Sequence, residues 1–240
     1  MNKKPSVPYR GQMLLALLLS LFLSSALLVV MIRFYVQIQW QNKKAFALLQ
    51  LQSELQQAVQ LMTKDIKRAG FRAQSDKVLQ DNFSLFETTD GKAIQLFASS
   101  SSLPFDCVLF FYDLDTSGCI GESLKGKHCQ RQGYNQTQHI ERELFGYRLN
   151  NGMLESRLTY KSAVNSRCKL SECQGYLSQQ ACQYGGWVDL LDAQQYQITA
   201  LRFDWVAEQQ GIDVYLKGVS KLFPDLEYET RSLIPLLNQG

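Results

Sequence analysis

Six cysteines carry the most obvious chemistry of this sequence, and all of them lie in its second half. They are Cys107, Cys119, Cys129, Cys168, Cys173 and Cys182. An even number of cysteines confined to one region is typical of disulfides formed in an oxidising compartment. Six cysteines allow fifteen pairings; we favour two local loops and one long-range link that holds a predicted strand to the segment around Trp187. These disulfide candidates are Cys119–Cys129, Cys168–Cys173 and Cys107–Cys182.

Two alternatives to disulfides stay open at this point. The thiols could be free and buried in a cytosolic protein, or they could bind zinc. Four residues separate Cys168 from Cys173, and nine residues separate Cys119 from Cys129. Structural zinc sites generally use more compact cysteine pairs. Metal ligation by these thiols is therefore not favoured.

A short acidic stretch is the second candidate for chemistry. Asp113, Asp115 and Ser117, followed by Gly118, match the opening of a calcium-binding loop, in which alternate oxygens converge on the cation. The bidentate acid that completes such a loop should stand at position 124, which is Leu124. The stretch is therefore interpreted as a solvated turn, and no metal is predicted.

Histidines and catalytic motifs offer little support for an enzyme. The two histidines, His128 and His139, lie in a polar region, and no nucleophile motif or phosphate-binding loop occurs in the sequence. No catalytic residue and no cofactor are predicted.

Charge is distributed unevenly along the chain. The first 32 residues contain three basic residues and no acid, whereas the remainder has 22 basic and 22 acidic residues. A neutral remainder argues against general attraction to nucleic acid, which requires a clustered basic surface. A short basic flank before an apolar segment is typical of a cytoplasmic N-terminus.

The apolar segment covers residues 13–32, which contain no charged residue. Twenty helical residues span a bilayer core, and the run is longer than the core of a cleaved signal peptide. Helix-forming residues continue to position 69, with apolar Ala45, Leu48, Leu55, Val59, Met62 and Ile66 on one face. We expect one helix over residues 12–69, with a transmembrane segment at 13–32, ended by Gly70.

In the rest of the chain, residues 70–240, apolar and polar residues alternate with a period of two, which predicts mainly strands. Strands are expected at 106–112, at 144–158 as a hairpin around Asn151-Gly152, at 198–206, at 212–219 and at 228–236. A long helix followed by successive antiparallel strands predicts an α+β fold, in which the apolar face of the helix packs on an antiparallel sheet.

Three local patterns together resemble one family. They are the segment from Asp65 to Phe71, with the pattern Asp-x-x-Arg-Ala-Gly-aromatic, the Asp106-Cys107-Val108 strand opening, and Cys182 followed by Gly185-Gly186-Trp187. With a basic leader ending in Gly11 and a long apolar helix, the chain resembles type IV minor pilins and pseudopilins, in the prepilin peptidase-dependent protein B or PilW-like group.

The resemblance implies a leader over residues 1–11 that prepilin peptidase removes between Gly11 and Gln12, with methylation of the new N-terminus. It also implies a single-pass protein of the bacterial inner membrane, with a cytoplasmic N-terminus and a periplasmic C-terminal domain, that later enters a filament. The implied partners are other pilins through the N-terminal helix, an inner-membrane assembly platform and the peptidase. Nucleic acid is not an expected partner.

The sequence departs from the family pattern at the start of the predicted mature chain. Gln12 stands where an aromatic residue or methionine is usual, and Ala16 stands where the family has glutamate. Either the subunit occupies a filament tip, or the leader is not processed. The predicted function is a minor pilin or pseudopilin that initiates or caps a type IV filament. The alternatives are a filament-tip binding module, for adhesion or DNA capture, and a single-pass periplasmic scaffold unrelated to pili.

Overall fold

A helix of 55 residues, α1 (Gln12–Ile66), opens the part of the chain that the structure describes. The structure is a computed structural model that describes residues 12–74, 78–98, 104–122, 128–158, 164–206 and 208–238. The chain divides into two compact units, Met1–Ala47 and Leu48–Gly240. The second unit therefore contains the last part of α1 together with all the strands. The predicted leader, with Gly11, lies outside the described residues.

The end of α1 differs slightly from the prediction, because the regular helix stops at Ile66 instead of residue 69. The next residues form a tighter turn, in which Arg68 donates its backbone N–H to Asp65 O (3.0 Å) and Ala69 donates to Ile66 O (3.0 Å). Gly70 then has a φ of +76°, and a Cβ there would lie 2.7 Å from the Asn238 carbonyl oxygen. Glycine is therefore required at this position for both conformation and space.

Among the described residues, ten strands and three short α-helices follow α1. The strands are β1 (Ile94–Phe97), β2 (Cys107–Phe111), β3 (Gln130–Arg131), β4 (Tyr134–Asn135), β5 (Leu144–Asn150), β6 (Met153–Arg157), β7 (Trp187–Asp189), β8 (Tyr196–Val206), β9 (Gly211–Ser220) and β10 (Glu227–Pro235). The helices are α2 (Phe83–Phe86), α3 (Leu170–Gln174) and α4 (Gln179–Gln183).

These strands form two main antiparallel sheets, whereas the sequence was interpreted as one. The first sheet has the order β1-β2-β5-β6-β7 and the second has the order β10-β9-β8, while β3 and β4 form a separate ribbon. Isolated backbone bonds connect the sheets, including Phe203 N–H to Phe105 O (2.8 Å) and Ile198 N–H to Gly152 O (2.7 Å). Alternation along a strand identifies its buried face but not its neighbour, so the sequence could not separate the sheets.

The predicted hairpins are confirmed. Asn151 (φ 49°) and Gly152 (φ 74°) both have positive φ between β5 and β6, as a two-residue turn of the primed type requires. The β8–β9 hairpin likewise turns through positive φ at Glu208 and Gln209. The predicted edge strand is β10, which pairs with β9 and ends at Pro235.

The buried face of α1 starts later than the sequence indicated. Ala45 is exposed and Leu48 is half-buried, so the first fully buried residue of the helix is Leu51. From there the buried residues follow a helical period: Leu51, Leu55, Ala58, Val59, Met62 and Ile66. They share one hydrophobic core with residues from both sheets.

Strand β2 is buried on both faces. Val108 and Phe110 belong to the core that contains α1, while Leu109 and Phe111 belong to a second core with Phe83 and the cysteine-bearing segments. The first sheet is therefore a middle layer with apolar partners on each side. Continuous apolar character, instead of alternation, is the expected pattern for such a strand.

Leu55→Ala tests the packing of α1. Removing a fully buried leucine side chain should lower the free energy of unfolding by about 2–5 kcal/mol, because a cavity is left between helix and sheets. Leu49→Ala is the matched control, since Leu49 is 63% exposed, and should change it by less than about 0.5 kcal/mol. Thermal unfolding of the full chain in detergent, followed by tryptophan fluorescence, measures both. Equal losses would contradict the assigned face.

Candidate functional site

The cysteines form three disulfides in the second unit, and no free cysteine occurs among the described residues. The bonds join the three pairs favoured from the sequence: Cys107–Cys182, Cys119–Cys129 and Cys168–Cys173. The thiols are thus unavailable for zinc. All six cysteine side chains are buried, and the second core contains Cys107, Cys168, Cys173 and Cys182.

The long-range disulfide holds β2 against the segment before β7. Cys182 lies in α4, and its carbonyl oxygen accepts a hydrogen bond from Arg148 Nη1 (2.5 Å) on β5. The same guanidinium bonds to Glu155 (2.5 Å) and lies over the Trp187 ring at 4.6 Å. Trp187 is therefore a packing partner of the disulfide region, which accounts for the Cys-x-x-Gly-Gly-Trp pattern.

A buried polar network fixes the loop that contains the second disulfide. Asn82 donates to Ile120 O (2.8 Å) and to Asn135 Oδ1 (2.6 Å), and it accepts the Ile120 N–H (2.7 Å). Asn135 also donates to Ser166 O (2.6 Å). Asn82 and Asn135 are fully buried, so their hydrogen bonds replace the water that these amides would otherwise contact.

The acidic stretch forms a cluster that the sequence alone did not indicate. Asp113, Asp115 and Glu143 place carboxylate oxygens within 4.8 Å of one another. Asp113 accepts backbone N–H groups from Ala73 (3.1 Å), Ser117 (3.0 Å) and Gly118 (2.8 Å). Three carboxylates this close could hold a hard cation, but Asp113 serves here as the acceptor that closes the turn.

Glu143 has an equivalent role on the other side of the cluster. It accepts N–H groups from Leu114 (2.7 Å), Asp115 (3.3 Å) and Gly121 (2.5 Å). Asp113 is 1% exposed and Glu143 is 3% exposed. The interpretation as a solvated turn was therefore wrong for Asp113, whereas Asp115 is exposed. Glu143 comes from a distant polar stretch whose local pattern carries no signal of burial. Leu124, which stands where the bidentate acid of a calcium loop would be expected, lies outside the described residues.

Burial raises the pKa of both carboxyl groups. Loss of hydration is the largest cause and raises the pKa of Glu143 to about 7. The backbone N–H groups that donate to this carboxylate act in the opposite direction and lower its pKa. The pKa of Asp113 is raised in the same way. The two histidines take no part, since both are exposed, and His139 Nδ1 lies 3.1 Å from Glu141.

The family pattern at the close of α1 also has a structural role for each residue. Asp65 accepts the hydroxyl hydrogen of Tyr147 (2.5 Å), and Arg68 lies over the Tyr112 ring at 5.9 Å. Ala69 is fully buried, and Gly70 donates its N–H to Phe111 O (2.9 Å). The pattern thus fixes the end of the helix onto β2 and β5.

The first unit carries the predicted membrane segment. Among the described residues, α1 is one helix that is long and apolar enough to cross a membrane. Every described side chain from residue 13 to residue 43 is exposed, including Ala16. The hydroxyls of Ser20, Ser24 and Ser25 donate to carbonyl oxygens one turn earlier, so they add little polarity to the surface. Gln12 is the first residue of the helix.

Removal of the long-range disulfide tests its contribution to the free energy of unfolding. Cys107→Ala/Cys182→Ala opens a link between residues 75 positions apart, whereas Cys168→Ala/Cys173→Ala opens one of 5. Loop-closure entropy predicts losses in unfolding free energy of about 4 and about 2 kcal/mol respectively. Denaturant unfolding of the full chain in detergent under non-reducing conditions measures both. A larger loss for the short link would contradict the prediction.

Glu143→Gln tests the buried carboxyl. Because folding raises the pKa of Glu143 to about 7, its contribution to stability is present below about pH 4.5 and is lost as the pH rises through about 7. The variant should lose this pH dependence, which amounts to roughly 3 kcal/mol. Its amide also faces the Gly121 N–H, so we expect a pH-independent loss of about 1–3 kcal/mol.

Melting temperatures between pH 4 and pH 8 measure this effect. Glu122→Gln is the control, because that side chain is exposed and its ion pair with Arg142 is at the surface. The pH profile of the control should follow that of the unmodified chain. An unchanged profile in Glu143→Gln would refute the assignment.

Comparison with known proteins identifies the family. Residues 44–236 match the family model described as prepilin peptidase-dependent protein B. A Haemophilus influenzae strain Rd protein, described as uncharacterized, is 45% identical over 193 residues, which cover 80% of this chain and 81% of that protein. No solved structure matches. Since the family match covers most of the chain, this protein belongs to the prepilin peptidase-dependent protein B family, which is related to pili.

Proposed function

We propose that this protein is a minor pilin or pseudopilin that helps to initiate or cap a type IV pilus or a related filament. The single observation that carries the proposal is the dual character of α1. Its first part exposes an uninterrupted apolar surface, and its last part supplies buried residues to a disulfide-bonded β-rich unit. A helix of this kind is both an anchor and part of a folded domain, which supports a structural role over a catalytic one.

The exposed part of α1 needs a cover that the described chain does not supply. Large apolar side chains from Met13 to Ile38 are 49–83% exposed, and a continuous surface of this kind is not stable in water. Lipid of the inner membrane would cover it before assembly, and helices of other pilins would cover it afterwards. The same residues would thus serve as membrane anchor and assembly interface, with an inner-membrane platform mediating the transfer.

Ala16 supports a terminal position in the filament. A glutamate at this place would pair with the terminal amine of a neighbouring subunit inside an apolar bundle, where an unpaired charge is costly. Alanine cannot supply that partner. A subunit at the tip has no subunit ahead of it, so it does not need the carboxylate.

Intact-mass measurement tests the processing step. The chain purified from membranes should lack residues 1–11 and carry a methyl group on Gln12, because the leader ends in Gly11. Gly11→Val should block cleavage and leave the full-length mass. Gly175→Ala, at a position with a φ of −58° and free space for an added Cβ, should be processed normally. Retention of residues 1–11 in the unmodified chain would contradict the prepilin interpretation.

Filament counts test the assembly role. Deleting the gene should reduce the number of surface filaments per cell at least tenfold, as seen by electron microscopy, and the unmodified gene should restore it. Leu21→Arg should fail to restore filaments, since a charge in the apolar surface opposes packing with other helices. Leu222→Arg, which adds the same charge at an exposed position of the second unit, is the matched control and should restore them. Normal filament numbers after deletion would refute the proposal, and lost adhesion or DNA uptake alone would favour the tip-binding alternative.

A further inference from the structure

The open side of β10 presents unpaired backbone groups. β10 is the last strand of its sheet among the described residues. Bonds at both ends of its ladder involve even-numbered residues, since Ser220 N–H donates to Leu226 O (3.1 Å) and Leu236 N–H donates to Gln210 O (2.9 Å). The register between these ends is continuous. Because backbone direction alternates along a strand, the odd-numbered residues 227–235 point their N–H and C=O groups away from β9.

Pro235 agrees with this assignment. Pro235 is one of the odd-numbered residues, whose backbone N–H groups point to the open side. Proline has no backbone N–H, so it costs the pairing with β9 no hydrogen bond. The four odd-numbered residues before it keep both backbone groups. This leaves a row of donors and acceptors on which another extended segment could form a regular ladder.

A groove runs along this open side, between β10 and the last turns of α1. Polar contacts join the two elements: Gln56 Nε2 donates to Tyr228 Oη (2.8 Å), and Thr63 Oγ1 donates to Ser232 Oγ (3.1 Å). The groove between them has a volume of about 560 Å³. Short polar side chains at its base give an extended segment access to the backbone of β10.

The charge of the groove is positive. Lys64, Lys67, Arg68 and Arg231 line it, and no lining residue is acidic. Arg231 is paired with Asp213, and Arg68 lies over Tyr112. Lys64 and Lys67 have no ion-pair partner among the described residues. An occupant that supplies two carboxylates would therefore neutralise the charges of Lys64 and Lys67.

We propose that an extended acidic segment of another protein binds in this groove and adds to β10 as a fourth strand. Backbone hydrogen bonds to the odd-numbered residues would provide affinity, and the two lysines would select acidic side chains. The proposal goes beyond the assembly role, because it concerns a surface of the second unit and does not depend on the apolar part of α1.

Site-specific photo-crosslinking in cells tests the proposal with the full chain. p-Benzoylphenylalanine at Leu233, an exposed odd-numbered residue of β10, should give an adduct with another protein. The same group at Arg202, exposed on β8 of the same sheet, should not. Mass spectrometry of the adduct should locate the crosslink in a segment with at least two acidic residues. No adduct at Leu233, an adduct with a second copy of this chain, or a segment without acids would overturn the proposal.

Charge reversal gives the decisive comparison. Lys64→Glu/Lys67→Glu should reduce the adduct at least tenfold, and changing the acids of the identified segment to lysine should restore it. Arg131→Glu/Arg167→Glu changes the net charge equally at exposed positions outside the groove, and it should leave the adduct unchanged. An adduct that persists after reversal of Lys64 and Lys67 would also overturn the proposal. Filament counts in the same strains separate this outcome from a failure of the assembly role.

Discussion

Burial of β2 on both of its faces is the constraint on which the second unit depends. Phe110 packs towards α1 and Phe111 towards the cysteine-bearing layer, so neither layer can be removed without exposing large aromatic side chains. The end of α1 is tied to the same strand through Gly70 and Phe111. The long-range disulfide at Cys107 secures the other layer to it. The helix, the sheet and the disulfide region are therefore mutually dependent.

Helix α1 continues from this core into a segment that is long and apolar enough to cross a membrane. Leu51 and Met62 are buried by the sheets, whereas Leu21 and Phe34 in the same helix are exposed. Backbone hydrogen bonding satisfies the polar groups of the helix in either environment, which is why one uninterrupted helix can pass from protein to lipid. Under the proposed function, helices of other pilins would replace the lipid around this segment on assembly.

Buried polar side chains in the disulfide layer mainly form hydrogen bonds with the backbone of the same layer. Asp113, Glu143 and Asn82 each bind several main-chain groups in loops that lack regular structure. Such loops cannot satisfy their backbone within a ladder, so buried side chains must do so. This explains why carboxylates that could hold a cation are found here as turn acceptors. The open side of β10, by contrast, is an outward surface whose hydrogen-bonding capacity is unfilled among the described residues.

The sequence by itself determined the helix, the hairpin at Asn151-Gly152 and the edge position of Pro235, because each depends on local spacing or local backbone preference. It favoured the three cysteine pairs but did not exclude other pairings, because Cys107 and Cys182 are 75 positions apart. Tertiary structure alone decided that the strands form two sheets, that Glu143 joins Asp113 inside the protein, and that Lys64 faces the open side of β10. These features bring together residues far apart in the chain. Their physical cause is the packing of layers about β2, which no local pattern of residues encodes.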